Sequence, residues 1–67
     1  MITFTLNGES RQVEAPTDVA HLLDDLGYAG KRVAVEKNGE IVPKSLHAAT
    51  RIEPGCRIEI VVAVGGG

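Results

Sequence analysis

The stretch that most constrains this chain is its last eleven residues, Arg57 to Gly67, RIEIVVAVGGG. Ile58, Ile60, Val62 and Val64 recur at a period of two, which places four branched apolar side chains on one face of a strand. The strand then runs without a turn into three glycines. Glycine brings no side chain to pack and carries the highest backbone entropy, so Gly65, Gly66 and Gly67 contribute nothing to a core. What they supply is a slim extended arm reaching roughly 10 Å, at about 3.3–3.6 Å per residue, with a carboxylate at its tip. Without Cβ atoms, such an arm can thread a channel too narrow for other residues. The expected division is a folded domain over 1–64 and a flexible glycine tail over 65–67.

A chain of 67 residues makes one domain with a thin core, burying only about 60% of its unfolded surface. Cys56 is the only cysteine, so no internal disulfide and no four-cysteine metal site can reinforce it. The sequence starts directly in strand-like residues and has no apolar run near the roughly 20 residues that cross a bilayer. The expectation is a cytoplasmic protein without a membrane partner. A net charge of −2 and two aromatic residues, Phe4 and Tyr28, leave neither a basic stripe nor a stacking platform for nucleic acid.

From the start, Ile2, Phe4 and Leu6 alternate with Thr3 and Thr5 as in a half-buried strand. Asn7-Gly8 predicts a tight hairpin turn, with a return strand at Ser10 to Ala15 and Val13 pointing inward. Thr17 or Asp18 then caps a helix whose stripe is Val19, Leu22, Leu23 and Leu26, closed by Gly27. Arg32 to Lys37 predicts a third strand, Asn38-Gly39 a second turn, and Ile41-Val42 a short strand ended by Pro43. Lys44 to Thr50 has no clear period, and Glu53-Pro54-Gly55 turns the chain into the final strand. This order predicts an α+β fold, with one main helix across one face of a mixed sheet and the first and last strands at its centre.

The helix should cover the face bearing Ile58 and Ile60. Glu59, Val61 and Ala63 then share the uncovered face beside the tail, and they are the candidate docking residues. His21 and His47 lack a cysteine or carboxylate cluster around them, so both are expected at the surface and no metal site is expected. Cys56 has no activating partner in the sequence around it and is read as a turn residue rather than a reactive thiol. Asp24 and Asp25 belong to a solvated helix face. No catalytic group is assigned.

The α-carboxyl group, with a pKa of about 3.3–3.7, is anionic at neutral pH and a poor electrophile. It reacts only once an oxygen becomes a leaving group, most simply as an acyl-adenylate made from ATP. A sulfur nucleophile then gives a thiocarboxylate, and a lysine amine gives an isopeptide bond. The chain has no glycine-rich loop opening a helix to hold ATP, so activation falls to another protein.

The block VAVEKNGEIVPK, Val33 to Lys44, together with the end RIEIVVAVGGG, resembles the ThiS family of sulfur carrier proteins of thiamine biosynthesis. That family lies within the ubiquitin-like β-grasp group. The resemblance implies a β-grasp fold and a carrier that is not itself an enzyme, binds no cofactor and is a monomer when free. It also implies that Gly67 is adenylated by a ThiF-like enzyme using ATP, and that Gly65 and Gly66 thread its channel. The thiocarboxylate sulfur would then go to thiazole synthase (ThiG) for thiazole ring formation. Two departures are visible: Cys56 stands where the family pattern has Asp, and Ser45-Leu46-His47 lacks a customary Trp. The alternatives left open are a molybdopterin-type sulfur carrier, a ubiquitin-like modifier conjugated to lysines, and a β-grasp binding module with an inert tail.

Overall fold

The computed structural model describes residues 1–28 and 30–63. Five strands, β1 (Ile2–Leu6), β2 (Glu9–Val13), β3 (Val33–Lys37), β4 (Glu40–Val42) and β5 (Arg57–Val62), form one sheet in the order β2-β1-β5-β3-β4. The two most apolar strands, β1 and β5, lie side by side in parallel at its centre, and the other pairs are antiparallel. This is the mixed sheet with its first and last strands central that the strand order predicts, and the β-grasp arrangement that the resemblance implies. The return strand is shorter than expected and stops at Val13, because its register opposite β1 runs out at Ile2↔Val13. The boundary between a domain over 1–64 and a tail over 65–67 lies outside the described residues.

One helix, α1 (Val19–Asp25), crosses the sheet. Its first turn is capped by Asp18, whose carboxylate accepts from the His21 N–H at 2.8 Å. Its end is a left-handed Gly27 (φ 80°), with Gly27 N–H on Asp24 O and Tyr28 N–H on Leu23 O. Val19, Leu22 and Leu23 press onto Phe4, Val35, Ile58 and Ile60 to form the core. Leu26 is only half-buried at its margin, and Val62 is half-buried on β5.

His21 also sets its exposed ring against the cap, with Nδ1 at 2.9 and 3.0 Å from the two Asp18 oxygens. The His21 backbone N–H, then its ring, hold Asp18 below its ordinary pKa of 3.8. The hydrogen bond that His21 donates to Asp18, then the Asp18 charge, raise His21 above its ordinary 6.5. The His21 contribution is full below pH 6.5 and is lost as pH climbs through the raised folded value. The Asp18 contribution is full above 3.8 and is lost as pH falls through the lowered one. Thermal melts should therefore place the pair's greatest benefit between pH 3.8 and 6.5. His21→Gln should flatten the alkaline side of the profile and lessen the acid side, which persists because the residue 21 backbone N–H still holds Asp18.

Lys44–Ala49, the segment without a sequence period, forms a 3₁₀ helix packed against α1. It corrects one expectation, since His47 is buried (8% exposed) rather than at the surface. The imidazole seals the edge of the core while its Nε2–H donates to Val42 O at 3.2 Å, which satisfies the polar atom that burial would otherwise strand. Ile52, on the following segment, enters the core as well, because Ile52 N–H on Thr17 O and Val19 N–H on Thr50 O tie that segment to the start of α1.

Both Asn-Gly turns have the positive φ that asparagine and glycine tolerate: 51° and 82° at Asn7-Gly8, 53° and 85° at Asn38-Gly39. Each asparagine also reaches across to β5. Asn7 Nδ2 donates to Ile60 O (3.2 Å) and Asn7 Oδ1 accepts from Ile60 N–H (2.8 Å), continuing the β1 ladder after β1 has ended. Asn38 Oδ1 accepts from Arg57 N–H at 2.9 Å on the other flank. Asn7→Gly keeps the turn and removes both bonds, so it should cost about 1–2 kcal/mol in urea unfolding. Asn38→Gly, losing one side-chain bond, should cost less. Equal losses at the two sites would show that the turns alone matter.

Candidate functional site

The site is built around the exit of β5. Its alternation sends Ile58 (0% exposed) and Ile60 under α1 and leaves Glu59, Val61 and Ala63 exposed on the opposite face. The three candidate docking residues therefore share one open surface, as their spacing predicts. On the β3 flank the strand is bonded as far as Ala63, whose N–H donates to Arg32 O at 2.9 Å. On the β1 flank Asn7 carries the bonding to Ile60. The last described residues before the glycines are thus held on the central strand of the sheet. Gly65, Gly66 and Gly67 lie outside the described residues, as does Val64.

Register adds residues that spacing alone leaves out. Ala34 stands opposite Val61 and is exposed beside it. Ile41, 66% exposed, is paired with Glu36, which in turn faces Glu59. Val61, 65% exposed, is thus the largest apolar side chain at the tail end of an open face interrupted by Glu36 and Glu59. Such a surface suits a partner that has one apolar contact at its centre and polar groups around it.

Cys56 is a free thiol buried in the core. Its carbonyl accepts from Thr5 N–H at 3.0 Å at the start of the β1–β5 ladder. A thiol enclosed in this way is a packing group and is not presented to a sulfur donor. His21 is exposed and engaged with Asp18, and His47 is buried against Val42, so the two do not converge. Among the described residues no group of three His, Cys, Asp or Glu side chains could hold a metal, and no helix is long and apolar enough to cross a membrane.

Comparison with known proteins places this geometry. The model of the ThiS family matches residues 4–67. The crystal structure of thiamine biosynthesis protein ThiS from Geobacter metallireducens superposes with a TM-score of 0.83 at 32% identity, covering 98% of this chain and 100% of that one. A thiazole synthase of Paramagnetospirillum magneticum is 47% identical over 62 residues, 92% of this chain but only 19% of that protein. The chain thus spans about a fifth of the length of that relative. An uncharacterized protein, ycf40, of Porphyra purpurea is 33% identical over 66 residues, 98% of this chain and 93% of that one.

Proposed function

The chain belongs to the ThiS family, and from that premise we propose that it is a sulfur carrier, a protein co-substrate whose reactive group is the carboxylate of Gly67. A ThiF-like enzyme binds the carrier with ATP, and a carboxylate oxygen attacks the α-phosphorus. Pyrophosphate leaves and an acyl-adenylate forms. Sulfur delivered at the sulfide level then attacks the acyl carbon, the C–O bond to AMP breaks, AMP and the sulfur's proton leave, and a thiocarboxylate remains on Gly67. Thiazole synthase takes that sulfur for the thiazole ring. The chain contributes positioning and no catalytic group. Nothing in the mechanism requires it to hold a cofactor, to dimerise or to leave the cytoplasm.

The observation that carries the reading is the placement of β5. The central strand is bonded on both flanks and secured as far as Ala63, immediately before the sequence Val-Gly-Gly-Gly. A firmly held base is what a reaction at a chain end needs, since a reacting group misplaced by 1 Å can lose on the order of 100-fold in rate. The match to part of a protein named thiazole synthase supports the thiazole branch over a molybdopterin-type carrier or a lysine modifier. Glu59, Val61 and Ala63 dock the partners.

Genetic replacement tests the function. In a bacterium lacking its own thiazole-pathway carrier, this chain should restore growth without added thiazole, and a chain lacking Gly67 should not. Failure of the intact, expressed chain would overturn the proposal. For the docking face, Val61→Arg should keep the parent melting temperature while weakening affinity for the activating enzyme at least tenfold in calorimetric titration. Unchanged affinity would remove Val61 from the interface.

A further inference from the structure

The opposite side of the tail's base holds a feature that the carrier chemistry does not use. Between α1, the segment preceding β3 and the 3₁₀ helix lies an open pocket of about 460 Å³. Its apolar lining includes Ala20, Leu23, Val33 and Ala48. Lys31, Arg32 and Lys44, three of the chain's seven Lys and Arg residues, also line it, and no described lining residue is acidic. All three are exposed, and none forms an ion pair with a described residue, whereas Lys37 is paired with Glu53. In a protein of net charge −2, this is a local concentration of positive charge over an apolar floor.

The pocket is also continuous with the tail's base. Arg32 accepts the Ala63 N–H through its carbonyl, and Val33 stands opposite Val62 in the sheet. A protein that receives the tail must close around this end of the molecule, which brings its surface to the pocket as well as to Val61. We propose that the pocket is a second docking point, receiving an acidic segment with an apolar residue from the activating enzyme that takes the tail. The carboxylates lie among Lys31, Arg32 and Lys44, and the apolar side chain rests on Leu23, Val33 and Ala48. Two grips on opposite faces of β5 then fix the direction in which the tail enters its channel. The proposal rests on the carrier reading.

Two variants test it, each measured for affinity to the activating enzyme at low and at high salt and for thermal melting. The double variant Lys31→Glu, Lys44→Glu reverses charge at exposed positions and should weaken binding at least tenfold at low salt. It should also flatten the salt dependence shown by the parent. Ala48→Trp leaves the charge intact and fills the pocket, and it should weaken binding comparably. Arg11→Glu, on β2 and away from the pocket, serves as control and should bind as the parent does. If the charge-reversed protein binds like the parent, the pocket is no docking point. If charge reversal weakens binding but Ala48→Trp does not, the cations act by long-range attraction alone, and seating in the pocket is overturned. Conversion of the parent to a thiocarboxylate is followed in the same preparations. Its absence would count against the carrier function, whereas normal conversion with unaltered affinities would count only against the pocket.

Discussion

Incubated with a ThiF-like enzyme, ATP and a sulfur donor, the intact protein is expected to gain the mass difference of one oxygen replaced by one sulfur. Fragmentation should place that change on Gly67. The expectation follows from what the rest of the chain offers. The only thiol, Cys56, is enclosed in the core and is not presented to a sulfur donor. Cys56→Ser should therefore acquire the sulfur as readily as the parent, provided that it is assayed below its own melting temperature. Removing Gly67 sets the carboxylate back by one residue, about 3.3–3.6 Å. Since 1 Å already costs on the order of 100-fold in rate, conversion should collapse. Appending a single alanine should fail for the same reason, and it also brings a Cβ into a channel that glycine fits. Both variants should keep the parent's melting temperature, because Gly67 brings no side chain to the core. An extended chain converted as fast as the parent, or sulfur located on Cys56, would overturn the mechanism.

The parts of this molecule that are legible in the sequence are those fixed by neighbours along the chain. The alternation of Ile58 and Ile60, the stripe Val19-Leu22-Leu23 and the two Asn-Gly turns each follow from spacing or from the φ that a residue tolerates. The exposed trio Glu59, Val61 and Ala63 was legible for the same reason, once the covered face was known. What was not legible depends on register and on contacts between distant segments. That Asn7 would bond to Ile60 follows from β1 stopping two residues short of Ile60's level, which the pairing Leu6↔Ile58 decides and neither strand announces. Ala34 and Ile41 join the open face of Val61 only through the pairs Ala34↔Val61 and Glu36↔Ile41. His47 was misplaced at the surface because a 3₁₀ segment has no extended periodicity to read. Its burial is decided by Val42 O, which lies within reach of Nε2. The basic pocket is assembled from three segments, and no stretch of sequence displays it.

Phe4→Ala should be the most damaging single substitution for the fold. Phe4 is 1% exposed and belongs to the core cluster with Val19, Leu22, Leu23 and Ile58. Truncating a buried phenylalanine to alanine costs about 3–5 kcal/mol, combining lost transfer energy with a cavity that neighbours only partly fill. A domain of 67 residues, at roughly 0.05–0.15 kcal/mol per residue, has a total stability on the order of 3–10 kcal/mol. One side chain thus accounts for a large share of the whole. The helix cannot compensate, since its seven residues fall below the roughly 12–15 at which an isolated helix becomes marginal in water. With about 4–8 °C lost per kcal/mol in a domain of this size, the melting temperature should fall by roughly 12–40 °C. Val61→Ala, on the uncovered face, should stay within about 0.5 kcal/mol of the parent. The functional consequence can be separated from the chemical one. The Phe4→Ala protein keeps an intact Gly67, yet its conversion to thiocarboxylate should fall as the folded fraction falls, measured by circular dichroism in the same samples. It should recover on cooling or with a stabilising osmolyte. Conversion that stays at the parent rate after the sheet has melted would show that the activating enzyme reads only the glycine tail and that the fold does not position it.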